Sequence, residues 1–149
     1  LPARSEKRFQ AKPGFIREAI REGVYGKMAH VLVVDDEDQM RKLIRIILVQ
    51  EGHSVVEALN GKMAIEQIKA SGVQLVITDV VMPDMDGLEL IRFIRKTSSQ
   101  TKIIAISGAG REGPDLYLNI AEQFGADAIL MKPFTSEQLI EKVSALVPV

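Results

Sequence analysis

The sequence predicts an α/β protein, a doubly wound parallel sheet with helices on both faces. From His30 onward, short β-branched runs alternate with longer amphipathic stretches. The chain has 149 residues, 46% of them hydrophobic, which suits one globular domain with a proper core. The residues that carry chemistry also fall directly after the apolar runs, where an open parallel sheet gathers its ligands.

In chain order, the first strand is expected at His30–Val34. The helix after it, near Asp38–Gln50, sets Met40, Leu43, Ile44, Ile47 and Leu48 at the i, i+3, i+4, i+7 and i+8 positions of one buried stripe. A second strand, Ser54–Ala58, leads to Asn60, an N-cap for a helix over Gly61–Ala70. The third strand, Leu75–Thr78, is followed by a helix over Gly87–Lys96, with Asp86 as its N-cap. The fourth strand is Lys102–Ile106. Its helix, Asp115–Phe124, is opened by Pro114, whose φ suits a first turn, and closed by Gly125. The fifth strand, Ala128–Met131, precedes a helix over Ser136–Leu146, with Leu139, Ile140, Val143, Leu146 and Val147 on one side. Right-handed crossovers then give a flavodoxin-like (βα)5 sheet, most simply in the order 2-1-3-4-5. The chain ends with that helix, so a single domain without an output domain is expected.

Composition excludes several classes of function. No apolar run approaches the roughly 18 to 20 residues that span a bilayer, and the N-terminus lacks signal-peptide order. A cytoplasmic protein without membrane contact is expected. The chain has no cysteine, which rules out disulfides and thiolate metal sites. The net charge of −1 hides an asymmetry: residues 1–27 hold seven Lys/Arg against three Glu, leaving −5 on residues 28–149. The body carries no basic footprint, so nucleic acid is not an expected partner. Residues 1–27 read as an N-terminal extension, a tag or upstream segment without its own function, in which "FIREAIREGVYG" has the pattern of two helical turns. Residues 28–149 form the domain.

The strand ends carry the chemistry. Asp35 and Asp36 follow the first strand, Asp79 the third, Ser107 the fourth and Lys132 the fifth. Clustered carboxylates repel unless a cation sits among them, and hard oxygen ligands without His or Cys select magnesium rather than zinc. Lysine and serine facing that ion complete a cradle for a tetrahedral anion, most simply a phosphoryl group.

The segments "VLVVDDED", "VITDVVMPDMDG", "IIAISG" and "LMKPF" resemble the signatures of response-regulator receiver domains of two-component signalling, over residues 29–148. The resemblance implies that Asp79 accepts a phosphoryl group from a phosphohistidine on a sensor histidine kinase or a histidine phosphotransfer protein, switching a surface for a downstream effector. It implies that Asp36, Asp79, the Val81 carbonyl and, partly through water, Asp35 ligate Mg2+. Lys132 pairs with Asp79 and then with the phosphoryl oxygens, Ser107 bonds the phosphoryl group, and Lys132–Pro133 is a cis peptide. Two positions depart from the family's habit: Ile129 stands where an aromatic switch residue is usual, and Gly108 stands where alanine is usual. Apolar Val81 and Ala109 beside the water's approach path predict slow self-dephosphorylation.

The remaining polar residues have plainer readings. Glu37 and Asp38 suit the dipole of a first helical turn, Asp84 and Asp86 suit turn or cap roles, and His30 and His53 are structural. "GAGREG", residues 108–113, matches a dinucleotide fingerprint but follows the fourth strand rather than the first, and reads as a hinge beside Ser107. Two other functions fit less well. An aspartyl-nucleophile, magnesium-dependent phosphohydrolase wants a second acid two residues after the nucleophile, where Val81 stands. A phosphorylation-independent pseudo-receiver would not need the intact acid pair, acceptor and lysine.

Overall fold

The structure, a computed structural model, describes residues 28–82, 87–108 and 114–147. Ten elements alternate along it: β1 His30–Val34, α1 Asp38–Gln50, β2 Ser54–Ala58, α2 Gly61–Ala70, β3 Leu75–Asp79, α3 Gly87–Thr97, β4 Lys102–Ser107, α4 Pro114–Phe124, β5 Ala128–Met131 and α5 Ser136–Leu146. The strands form one parallel sheet in the order β2-β1-β3-β4-β5, as expected. No helix among the described residues is long and apolar enough to cross a membrane.

Two apolar layers hold the sheet, and the alternation of side chains along a strand assigns residues to each. Val31, Val33, Leu75, Ile77, Ile104 and Ile106 face α1 and α5, against Ile44, Ile47, Leu48, Leu139 and Val143. Leu32, Val34, Val76, Ile103 and Ala105 face the other way, against Ala64, Leu90, Ile91, Ile94 and Ala121. Buried on both sides, the central strands expose only their ends to chemistry.

Helix ends follow the local chemistry of the sequence. Asn60 caps α2, its side chain accepting from the Met63 N–H at 2.9 Å. Gly125 closes α4 at φ +118°, with the Ala126 N–H bonding back to the Ala121 carbonyl at 3.0 Å. The expected Asp86 cap lies outside the described residues, as do residues 1–27 and the hinge at 109–113.

Three expectations need correction. Leu43 is 47% exposed rather than buried. The buried stripe of α1 centres on Ile44, and successive helical residues are about 100° apart, so Leu43 sits at its margin while Arg41 is buried in its place. β3 and β4 each extend one residue further than expected, to Asp79 and Ser107, because these pair with Ile106 and Met131 and so remain in the ladder. α3 runs on one residue to Thr97, whereas α4 opens at Pro114, the residue expected to start it.

Candidate functional site

Strand register brings the polar residues together before any side-chain contact does. Val34 pairs with Thr78, so Asp35 leaves β1 beside Asp79 at the end of β3. Asp79 pairs with Ile106, one residue before Ser107, and Ser107 pairs with Met131, one residue before Lys132. All lie at the carboxyl edge, on neighbouring strands.

The Lys132 ammonium sits between two carboxylates, donating to Asp35 Oδ2 at 3.2 Å and to Asp79 Oδ2 at 3.3 Å. The Lys132–Pro133 peptide is cis. Asp79 is held on its other oxygen by the Val81 N–H at 3.2 Å, and Asp35 Oδ1 accepts from the Glu37 N–H at 2.9 Å. Asp35 and Asp79 are buried, whereas Asp36 and Val81 are exposed. One carboxylate oxygen from each of Asp35, Asp36 and Asp79 lies within 4.8 Å of the others.

Burial sets the electrostatics. Loss of water raises the Asp79 carboxyl above its ordinary range; Asp35 adds to the rise and Lys132 opposes it. Asp35 is raised as well, first by burial, with Lys132 and the Glu37 N–H opposing. For Lys132, burial alone pushes the ammonium down, but Asp79 and Asp35 outweigh it, so its pKa rises and the charge is kept. Among the described residues, the cluster thus sets three carboxyl groups around one ammonium. Three hard oxygen donors with no His or Cys among them suit Mg2+ or Ca2+ and not zinc.

Ser107, 2% exposed, stands at the same edge with its hydroxyl donating to the Gly108 carbonyl at 3.2 Å. The histidines lie at the opposite ends of the strands: His30 Nδ1 meets Ser54 Oγ at 2.9 Å, and His53 Nδ1 accepts from the Ala29 N–H at 3.1 Å. Burial pushes the His53 imidazole down, in keeping with an acceptor role. Asp38, in the first turn of α1, pairs with Arg41. Asp84, Asp86 and Ala109 lie outside the described residues.

Three residues at the site were not singled out in the sequence. Gly87 packs so closely under β3 that a Cβ there would lie 2.1 Å from the Asp79 carbonyl oxygen. Any side chain at 87 must displace the backbone of Asp79; the signal was a glycine opening a helix after an aspartate. Arg41 and Glu57 join the ends of β1 and β2, with the Arg41 Nε donating to Glu57 Oε1 at 3.1 Å. An arginine inside an apolar helical stripe was the legible trace of that link.

The sequence profile described as "Response regulator receiver domain" matches residues 31–144. The chain belongs to this family. Among curated relatives, the receiver domain is 38% identical over 119 residues to the chemotaxis protein CheY of Bacillus subtilis, covering 78% of this chain and 97% of that protein. It is 34% identical over 118 residues to the transcriptional regulatory protein SrrA of Staphylococcus aureus, of which it spans only 46%. Among solved structures, the receiver domain of NtrX from Brucella abortus superposes with a TM-score of 0.73 at 31% identity, covering 78% of this chain and 96% of that one. A receiver domain of response regulators is a module of two-component signalling.

Proposed function

We propose that residues 28–149 form a phosphoacceptor receiver in which Asp79 takes a phosphoryl group from a phosphohistidine in a Mg2+-dependent reaction. The observation that carries this reading is the setting of Asp79: a buried carboxylate at the end of the central strand, with Lys132 on one side and the Asp35–Asp36 pair on the other. An oxygen of the Asp79 carboxylate attacks phosphorus as the P–N bond breaks, and its electron pair leaves on the imidazole of the donor. Asp36, Asp79, Asp35 and the Val81 carbonyl would hold Mg2+, which supplies charge stabilisation for the transferring oxygens.

The chain's own groups do the rest. Lys132 faces Asp79 and so stands ready to pair with a phosphoryl oxygen. Ser107 reaches the group once its hydroxyl turns from the Gly108 carbonyl. Val81, exposed beside the acceptor and without a polar side chain, cannot orient an attacking water, so the phosphorylated state decays slowly. The donor is a sensor histidine kinase or a histidine phosphotransfer protein in the cytoplasm, and the reader is a downstream effector protein. Ile129, half-buried against the α2–α3–α4 layer, replaces an aromatic switch with an aliphatic anchor.

The test is labelling by a small phosphoryl donor with Mg2+. One phosphoryl group per chain on Asp79 is expected, and none in Asp79→Asn. Undiminished labelling of that variant at another residue sinks the assignment.

A further inference from the structure

Asp35 is where β1 leaves the sheet, and its peptide groups must find new partners there. Its N–H still donates to the Ala58 carbonyl at 3.2 Å. Its carbonyl takes a bond from Arg41 Nη1 at 2.8 Å. Asp35 is 1% exposed, and a buried carbonyl without a partner would be costly. The guanidinium that fills this position is fixed from two other directions, by Glu57 at Nε and Asp38 at Nη2. Glu57 is in turn held by Arg45 at 2.8 Å on its second oxygen. Arg41 is itself only 7% exposed. One side chain thus ties the end of β2, the first turn of α1 and the turn bearing the acid pair.

We infer that Arg41 is a positioning residue for the divalent-cation site, setting the direction of Asp36 without touching the ion. This rests on the proposed reading of the acid cluster as a Mg2+ site. The peptide unit is planar, so clamping the Asp35 carbonyl also fixes the nitrogen and Cα of Asp36. On the far side, the Glu37 N–H is tied to Asp35 Oδ1 at 2.9 Å. The exposed Asp36 carboxylate is therefore aimed by a backbone held at both of its ends. Asp35, with Oδ1 on Glu37 and Oδ2 on Lys132, has both carboxylate oxygens engaged. This leaves Asp36 as the more available ligand.

Plain electrostatics gives the opposite sign. Deleting a cation beside three carboxylates should tighten Mg2+ binding, whereas deleting a positioning residue should weaken it. Removing groups that orient metal ligands costs about 10- to 100-fold in affinity. The test is calorimetric Mg2+ titration of the full chain, well below its melting temperature, for the parent, Arg41→Met, Arg41→Lys and Arg45→Met, with hydrogen exchange of the Glu37 amide measured without the ion. Arg41→Met is expected to weaken binding about tenfold or more and to speed that exchange. Arg41→Lys keeps the charge but not the fork of donors, so it too should weaken binding, and it carries the test alone if the Met variant does not fold. Arg45→Met, which touches Glu57 but not Asp35, should stay within about twofold of the parent, well short of the loss expected for removing a positioning group. Unchanged or tighter binding in both Arg41 variants overturns the inference, as does an equal loss in Arg45→Met. A parent that binds no Mg2+ overturns the metal reading itself, and the positioning role with it.

Discussion

At the amino edge of the sheet Arg95 meets Asp127; at the carboxyl edge Lys132 meets Asp35 and Asp79. The two clusters are made of the same kinds of groups and have opposite character. Arg95 donates to Asp127, to the Gly125 carbonyl at 2.8 Å and to the Thr101 carbonyl at 2.6 Å, while the Ile103 N–H donates to Asp127 at 2.8 Å. One cation faces one anion, and the backbone takes up the remaining donors and acceptors. At the other edge, among the described residues, the Lys132 ammonium pairs with two of three clustered carboxylates, and burial raises both of those above their ordinary range. The first cluster closes the ends of α3, α4, β4 and β5 into a finished joint. The second gathers, among the described residues, more carboxylates than its ammonium pairs with, and burying them is a cost to the fold. Within one sheet, satisfied charge marks structure and unsatisfied charge marks the place for chemistry.

The largest expected effect comes from breaking the finished joint. Arg95→Met leaves the carbonyls of Gly125 and Thr101 without the guanidinium that donates to them, and Asp127 with the Ile103 N–H but no cation. Hydrogen bonds from a charged, mostly buried group predict a loss of about 2 to 3 kcal/mol in denaturant unfolding. Labelling of Asp79 in the folded fraction should be unchanged, since this cluster lies at the opposite ends of the strands. A variant as stable as the parent would show that the two edges do not differ in the way described.

Asp79→Asn should act in the opposite direction. The Asp79 and Asp35 carboxyls are raised above the ordinary value of 3.8, so between that value and their folded-state pKa values the native state binds more protons than the unfolded chain. Their contribution to stability is present below pH 3.8 and is lost as pH rises through the raised values. At neutral pH both groups are a net cost. Replacing one with a neutral isostere should raise stability by about 1 kcal/mol at pH 7, the size usual for relieving a functional site. The gain should shrink towards zero below pH 4 and be offset when Mg2+ stabilises the parent. Thermal melts at pH 3.5 and 7, with and without Mg2+, read this; a variant less stable than the parent at pH 7 would contradict it.

How far the sequence could be read follows the same division. Strands buried on both faces announce themselves as apolar runs, and the residues after them are placed by topology alone, so Asp35, Asp79, Ser107 and Lys132 were legible at one edge. Contacts between elements were not. Arg41 and Glu57 lie 16 residues apart on a helix and a strand, and only the β1–β2 register brings them together. The exposure of Leu43 was hidden for a related reason: periodicity shows that a helix has an apolar face but does not fix where the sheet centres on it. Gly87 is the helix start it was read as, but nothing local reports that the Asp79 carbonyl oxygen lies 2.1 Å from where its Cβ would be.

The smallest expected effect tests whether glycine stands after Ser107 for reasons of space or of entropy. Gly108 follows Ser107, and a Cβ built there would meet its nearest neighbour among the described residues, the Cδ of Lys132, at 3.9 Å, an ordinary contact. Its φ lies outside the range that L-residues avoid. Alanine therefore fits without strain, in contrast to Gly87. What glycine adds is freedom in the unfolded chain, and removing it at a compatible position stabilises a protein by about 0.4 to 1 kcal/mol. Gly108→Ala should show that gain in denaturant unfolding, with labelling of Asp79 intact because, among the described residues, the methyl group touches only the stem of Lys132. A loss of stability would mean that position 108 needs the space, so that glycine stands there for steric rather than entropic reasons.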